Sequence, residues 1–129
     1  MNESSHRISA AHALLDSGGF EAETAALAVL ANLKAEGRGS ARDLLRRIAR
    51  AAEIAGEPVL PFKHATLYAV LHELEFDGAI QPASDGDRAG RTFVITPRGK
   101  AFLALAQERW RSAHLVIRAA AAAAESQRP

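Results

Sequence analysis

One interruption of period organises this chain. From residue 5 to residue 77 the apolar side chains recur at helical spacing. Between residues 79 and 95 that period gives way to two short strand-like runs around a turn-rich stretch. From Thr96-Pro97 to about Glu125 it returns, with no breaker beyond Gly99 in the first turn. The pattern predicts a mainly α protein carrying one small β-hairpin and ending in a long helix.

Four helical segments precede the hairpin. Residues 5–16 carry Ile8, Ala11, Leu14 and Leu15, and Gly18-Gly19 stops them. From Glu21 to Glu36, residues Ala26, Leu27, Leu30 and Leu33 share a face, with Gly37 as the C-terminal cap. Ser40 opens the third helix, paired with Asp43 as a capping box, and its stripe is Ala41, Leu44, Leu45, Ile48 and Ala52. After the breakers Gly56, Pro58 and Pro61, a fourth helix over 62–77 buries Leu67, Val70, Leu71 and Leu74 and ends at Asp77-Gly78. Residues 79–81 and 91–95 read as the two strands, and Ser84–Gly90 as the turn between them. Thr96 is then an N-cap with Pro97 at the first helical position. Three helices followed by a two-stranded wing is the order of a winged helix-turn-helix domain. The division expected is an N-terminal extension over 1–19, that domain over 20–96, and a C-terminal dimerisation helix with a frayed tail over 97–129.

Specific residues sharpen the reading. The run Thr66-Leu67-Tyr68-Ala69-Val70-Leu71, then His72-Glu73-Leu74-Glu75, then Asp77-Gly78-Ala79-Ile80, closely resembles the recognition-helix signature of the PadR family of bacterial repressors. Arg91–Ile95 followed by Thr96-Pro97-Arg98-Gly99 is similar to that family's wing strand and the turn into its last helix, and Leu44-Leu45-Arg46-Arg47-Ile48 to its second helix. The resemblance covers about residues 24–118. It departs at Ser40–Leu44, at Ala65 and Ala69 on either side of the T-L-Y element, and at Thr92-Phe93 where the family has wing tyrosines. The resemblance implies a homodimeric repressor on a palindromic operator in the bacterial cytoplasm, of the compact branch with a single C-terminal helix, and a DNA contact at Tyr68.

Charge supports a DNA-binding reading independently. The protein has 16 basic and 15 acidic side chains, a formal net charge of +1, so any basic surface must come from segregation. Residues 37–50 hold five arginines and one aspartate. Arg42, Arg46 and Arg50 repeat every four residues opposite the apolar stripe, with Arg47 beside them. Such a stripe binds phosphates and positions a protein without reading sequence; the same stripe also reads as a solvated helix face. Arg88 and Arg91 lie on the hairpin, where a wing meets backbone or minor groove. Lys63, His64, Thr66, Tyr68 and His72 lie on the outward, N-terminal half of the fourth helix, the half that meets base edges in the major groove. Packing or surface roles stand beside these for Tyr68, His64 and His72.

Catalysis finds no foothold. Without cysteine there is no disulfide framework, thiolate zinc site or cysteine nucleophile. His72-Glu73 begins a zincin-like motif whose second histidine is Phe76, the five histidines are scattered without ligand spacing, and Gly37-Arg38-Gly39 lacks a third glycine and a Walker lysine. No cofactor is expected. The opening residues are too polar for a signal peptide, and no run approaches the roughly eighteen apolar residues of a membrane span.

The last helix points to assembly. Counted from Pro97 to Glu125 it runs about 43 Å. Its band of Phe102, Leu103, Leu105, Ala106, Trp110, Ala113, Val116, Ile117 and Ala120 exceeds what one small core needs, so a second copy is the expected partner, with the helix of residues 5–16 packing on the same arm. Trp110, the one tryptophan, is a candidate ligand-binding residue. Facing its symmetry mate, it would sandwich a planar aromatic or cationic effector, with Phe102 and Phe93 as candidate companions; alternatively it fills an interface. Two further readings stay open: an effector-sensing or protein-interaction module on the same scaffold that does not bind DNA, and a MarR-like regulator.

Overall fold

The glycine pair bends the first helical run where a stop was expected. In the computed structural model, which describes residues 3–57, 60, 62–83 and 91–127 and of residues 3–18 the backbone alone, α1 spans Glu3–Glu36. It is broken at Gly19, with φ 66° and ψ −153°. That conformation is open almost only to glycine, so the two expected helices meet there without a loop. The elements that follow are β1 (Gly39–Ser40), α2 (Ala41–Ile54), α3 (His64–Asp77), β2 (Ile80–Pro82), β3 (Thr92–Ile95) and α4 (Pro97–Ser126).

Each boundary has a local cause. Ser40 and Asp43 form the reciprocal capping box at the start of α2: the Asp43 backbone N–H donates to Ser40 Oγ at 3.1 Å, and the Ser40 N–H donates to Asp43 Oδ2 at 3.0 Å. α3 starts at His64, two residues later than the apolar pattern suggested, because Phe62 is buried ahead of the helix and Lys63 is the N-cap. It ends at Gly78, φ 85°, whose N–H reaches Glu75 O while Ala79 N–H reaches Leu74 O, a Schellman closure. α4 begins on Thr96, whose hydroxyl accepts from Gly99 N at 3.0 Å.

The core joins the four helices with β2 and β3. Ala25, Val29, Leu30 and Leu33 of α1 meet Leu44 of α2, Leu67 and Val70 of α3, Ile80, and Leu103 of α4. Each fully buried leucine contributes about 1.5–3 kcal/mol. α1 packs chiefly on α3, and also against α4, α2 and β3. The apolar stripes expected on α1, α2 and α3 face this core: Leu67, Val70, Leu71 and Leu74 are all buried, as are Leu30, Leu33, Leu44 and Ile48.

The sheet has three antiparallel strands in the order β1-β3-β2, not the two expected. Gly39 pairs with Phe93 and Ser40 with Thr92, while Ile80, Gln81 and Pro82 oppose Ile95, Val94 and Phe93. A two-residue strand has no period to read; β1 exists only through its pairing. Pro82 is tolerated because β2 is an edge strand. Helices α1, α2 and α3 with this sheet make a winged helix-turn-helix, from which α4 extends. On α4 only Gly99, Phe102, Leu103 and Ala106 are buried, and every residue from Gln107 to Ser126 is exposed.

Candidate nucleic-acid interface

The capped start of α2, the outer face of α3 and the base of β3 enclose an open groove of about 540 Å³. Arg42 enters from α2, Tyr68, His72 and Glu75 from α3, Arg91 from just before β3 and Phe93 from within it. The helical repeat explains the α3 set: Leu67, Val70, Leu71 and Leu74 turn into the core, which leaves positions 64, 65, 68, 69 and 72 outward. Tyr68 is 52% exposed, so it is not a core tyrosine.

The cations differ in how they are held. Arg42, Arg46 and Arg50 are all exposed on α2. Arg46 pairs with Asp43 at 2.9 Å, whereas Arg42 and Arg50 form no ion pair with a described residue. The Ser40 backbone N–H holds the Asp43 carboxyl below its usual range, helped by the Ser40 hydroxyl and by Arg47 and Arg46. Arg47 turns inward: its Nη1 donates to Arg38 O at 2.8 Å and Asn32 Oδ1 at 3.3 Å, which ties α2 to the end of α1. Arg91 pairs with Glu75 and lies 5.3 Å over the Phe93 ring, held at the wing base by charge and cation–π attraction. Arg88 lies outside the described residues.

The start of α3 presents Lys63 and His64 to solvent. Thr66 is turned toward α1: its hydroxyl donates to Glu21 Oε1 at 2.9 Å. Glu75, the counter-charge for Arg91, and Glu21 were not among the site residues expected from the sequence. No local signal marks either, since their partners lie 16 to 45 residues away.

Trp110 stands apart from this groove. Its Nε1 donates to Glu23 Oε1 at 2.9 Å, and its ring lies 5.4 Å from that of Phe20, tilted by 52°. It lines a second open groove of about 540 Å³ with Glu23, Leu105, Glu108, Arg109 and Ala113. Phe20 is its aromatic neighbour; the expected companions Phe102 and Phe93 are 8% and 7% exposed and belong to the core. Among the described residues no cluster of three or more metal-ligating side chains occurs, and no helix is long and apolar enough to cross a membrane.

No family model matches the chain, and no curated protein matches it. Among solved structures, a transcriptional regulator from Clostridium thermocellum is similar to it, with 26% sequence identity and a TM-score of 0.61, over 73% of this chain and 86% of that one.

Proposed function

We propose that this chain is a PadR-like winged-helix transcriptional regulator, a repressor that binds a palindromic operator as a homodimer in the bacterial cytoplasm. The observation that carries the proposal is the groove in which Arg42, Tyr68, His72 and Arg91 converge from three elements, continued along α2 by Arg46 and Arg50. α3 would enter the major groove with Lys63, His64, Tyr68 and His72 leading, while the α2 arginines and the wing, Arg88 included, would neutralise phosphates. Thr66 serves there by fixing the start of α3. Similarity to a transcriptional regulator supports this reading. Residues 20–96 bind DNA, 97–129 form the dimer arm, and 1–19 are an extension. The chain is not an enzyme and needs no cofactor.

Selection of bound sequences from random duplex DNA tests the proposal: one palindrome should emerge, with half-sites about 34–36 Å apart. Recovery of no sequence would favour a protein-interaction module on this scaffold. Replacing Arg46 and Arg50 with alanine should weaken binding to operator and random DNA alike, and should lower the salt slope by about one unit per lost phosphate contact. The groove beside Trp110 is where a planar aromatic effector would act. Planar dyes should then quench Trp110 fluorescence and release the operator; absence of both effects would make Trp110 a packing residue only.

A further inference from the structure

α3 has no side-chain cap of its own. Its N-cap residue, Lys63, makes no capping hydrogen bond. The acceptor comes from α1: Glu21 Oε1 receives the Lys63 backbone N–H at 2.8 Å and the Thr66 hydroxyl at 2.9 Å. These two hydrogen bonds, the backbone one first, hold the Glu21 carboxyl below its usual range, so it is the charged form that grips the helix start. A carboxylate there also complements the positive end of the α3 dipole.

The turn that bears Glu21 holds a second helix. Two residues on, Glu23 accepts the Trp110 indole N–H at 2.9 Å, and Phe20 packs its ring on that of Trp110. Thr24 closes the turn by donating to Phe20 O at 2.7 Å. Just before it, the break at Gly19 separates this turn from the preceding helical segment. Contacts from three residues of one helical turn, Phe20, Glu21 and Glu23, thus grip the start of α3 on one side and α4 on the other. A turn closed by its own hydrogen bonds moves as a unit, so a displacement of Phe20 and Glu23 by Trp110 carries Glu21 with it.

We infer that the turn Phe20–Thr24 couples the C-terminal arm to the recognition helix, with Glu21 as a positioning residue that sets the start of α3 according to how Trp110 is packed. The consequence for DNA rests on the proposed regulator function; the coupling itself does not, and it is measurable in the free protein. Hydrogen exchange of peptides spanning residues 62–68 is the primary readout, on the full chain without DNA. Glu21→Ala should speed that exchange about five- to tenfold, and Glu21→Gln, which keeps a carbonyl acceptor, by less than half as much. Trp110→Phe, which keeps a ring and removes the donor, and Glu23→Ala should each speed the same peptides about twofold from another helix. Unchanged exchange in Glu21→Ala would overturn the cap. Unchanged exchange at 62–68 in both Trp110→Phe and Glu23→Ala would overturn the coupling, even with the cap intact. With duplex DNA, Trp110→Phe should weaken binding in the wild-type background and leave it unaltered in the Glu21→Ala background; equal weakening in both would also overturn the coupling. Failure of the wild-type protein to bind any duplex would sink the regulator reading and leave the exchange results standing.

Discussion

A methyl group at position 99 would have nowhere to go: an added Cβ would collide with Ala79 O and lie 2.8 Å from Ile95 Cγ1. The same corner is tied by the Thr96 hydroxyl, which donates toward Gly78 O at 2.6 Å and Ala79 O at 3.0 Å. The threonine–glycine spacing at the start of α4 therefore joins the arm to the end of α3. Gly99→Ala should cost about 1–3 kcal/mol or more in chemical denaturation, and Thr96→Ala about 0.5–2 kcal/mol, with Thr96→Ser close to neutral. Acid stability belongs to this scale too. The carboxyls of Asp43 and Glu21 are both depressed on folding, so their contribution is complete above the ordinary carboxylate range and lost as pH falls through their folded values. The urea midpoint should be flat near neutrality and fall below about pH 4.5, less steeply in Asp43→Asn. An identical acid slope in that variant would remove Asp43 as a cause.

At the scale of elements, α2 carries two kinds of arginine: the exposed Arg42, Arg46 and Arg50, which repeat every four residues, and Arg47 beside them. Arg47 sits one position beyond Arg46, yet the 100° advance per residue turns it toward Asn32 and the Arg38 carbonyl. Arg47→Ala should lower stability by about 1–2 kcal/mol and leave the salt dependence of DNA binding unchanged. Arg50→Ala should do the opposite, altering the salt slope and not the denaturation midpoint. Interchanged results would move the phosphate-facing side of α2. Strand β1 makes a similar point: its pairing with β3 follows from Ser40 being at once a strand end and the cap of α2.

For the whole molecule, the decisive feature is the arm. Beyond Trp110, from Arg111 to Ser126, α4 runs about 24 Å with every residue exposed, and Leu115, Val116 and Ile117 are 53%, 68% and 66% exposed. In the proposed homodimer a second copy would cover these apolar side chains. Val116→Asp or Ile117→Asp should shift sedimentation to the monomer and reduce helicity, because an unpaired charge in such an interface costs several kcal/mol. An unaltered dimer in both variants would put the interface elsewhere.

The sequence by itself determined the opening caps of α2 and α4 and the buried stripes of α2 and α3, because those rest on interactions within about four residues: Ser40 with Asp43, Thr96 with Gly99, and the stripe Leu67, Val70, Leu71, Leu74. It also marked which side of α3 is outward, since burying one stripe exposes the other. Tertiary structure decided what depends on distant partners. It turned Thr66 to Glu21, Arg91 to Glu75 and Arg47 to the end of α1, paired Phe20 with Trp110, and made a strand of two residues. These contacts join residues 9 to 90 positions apart through packing of whole elements, and no local period records such a meeting.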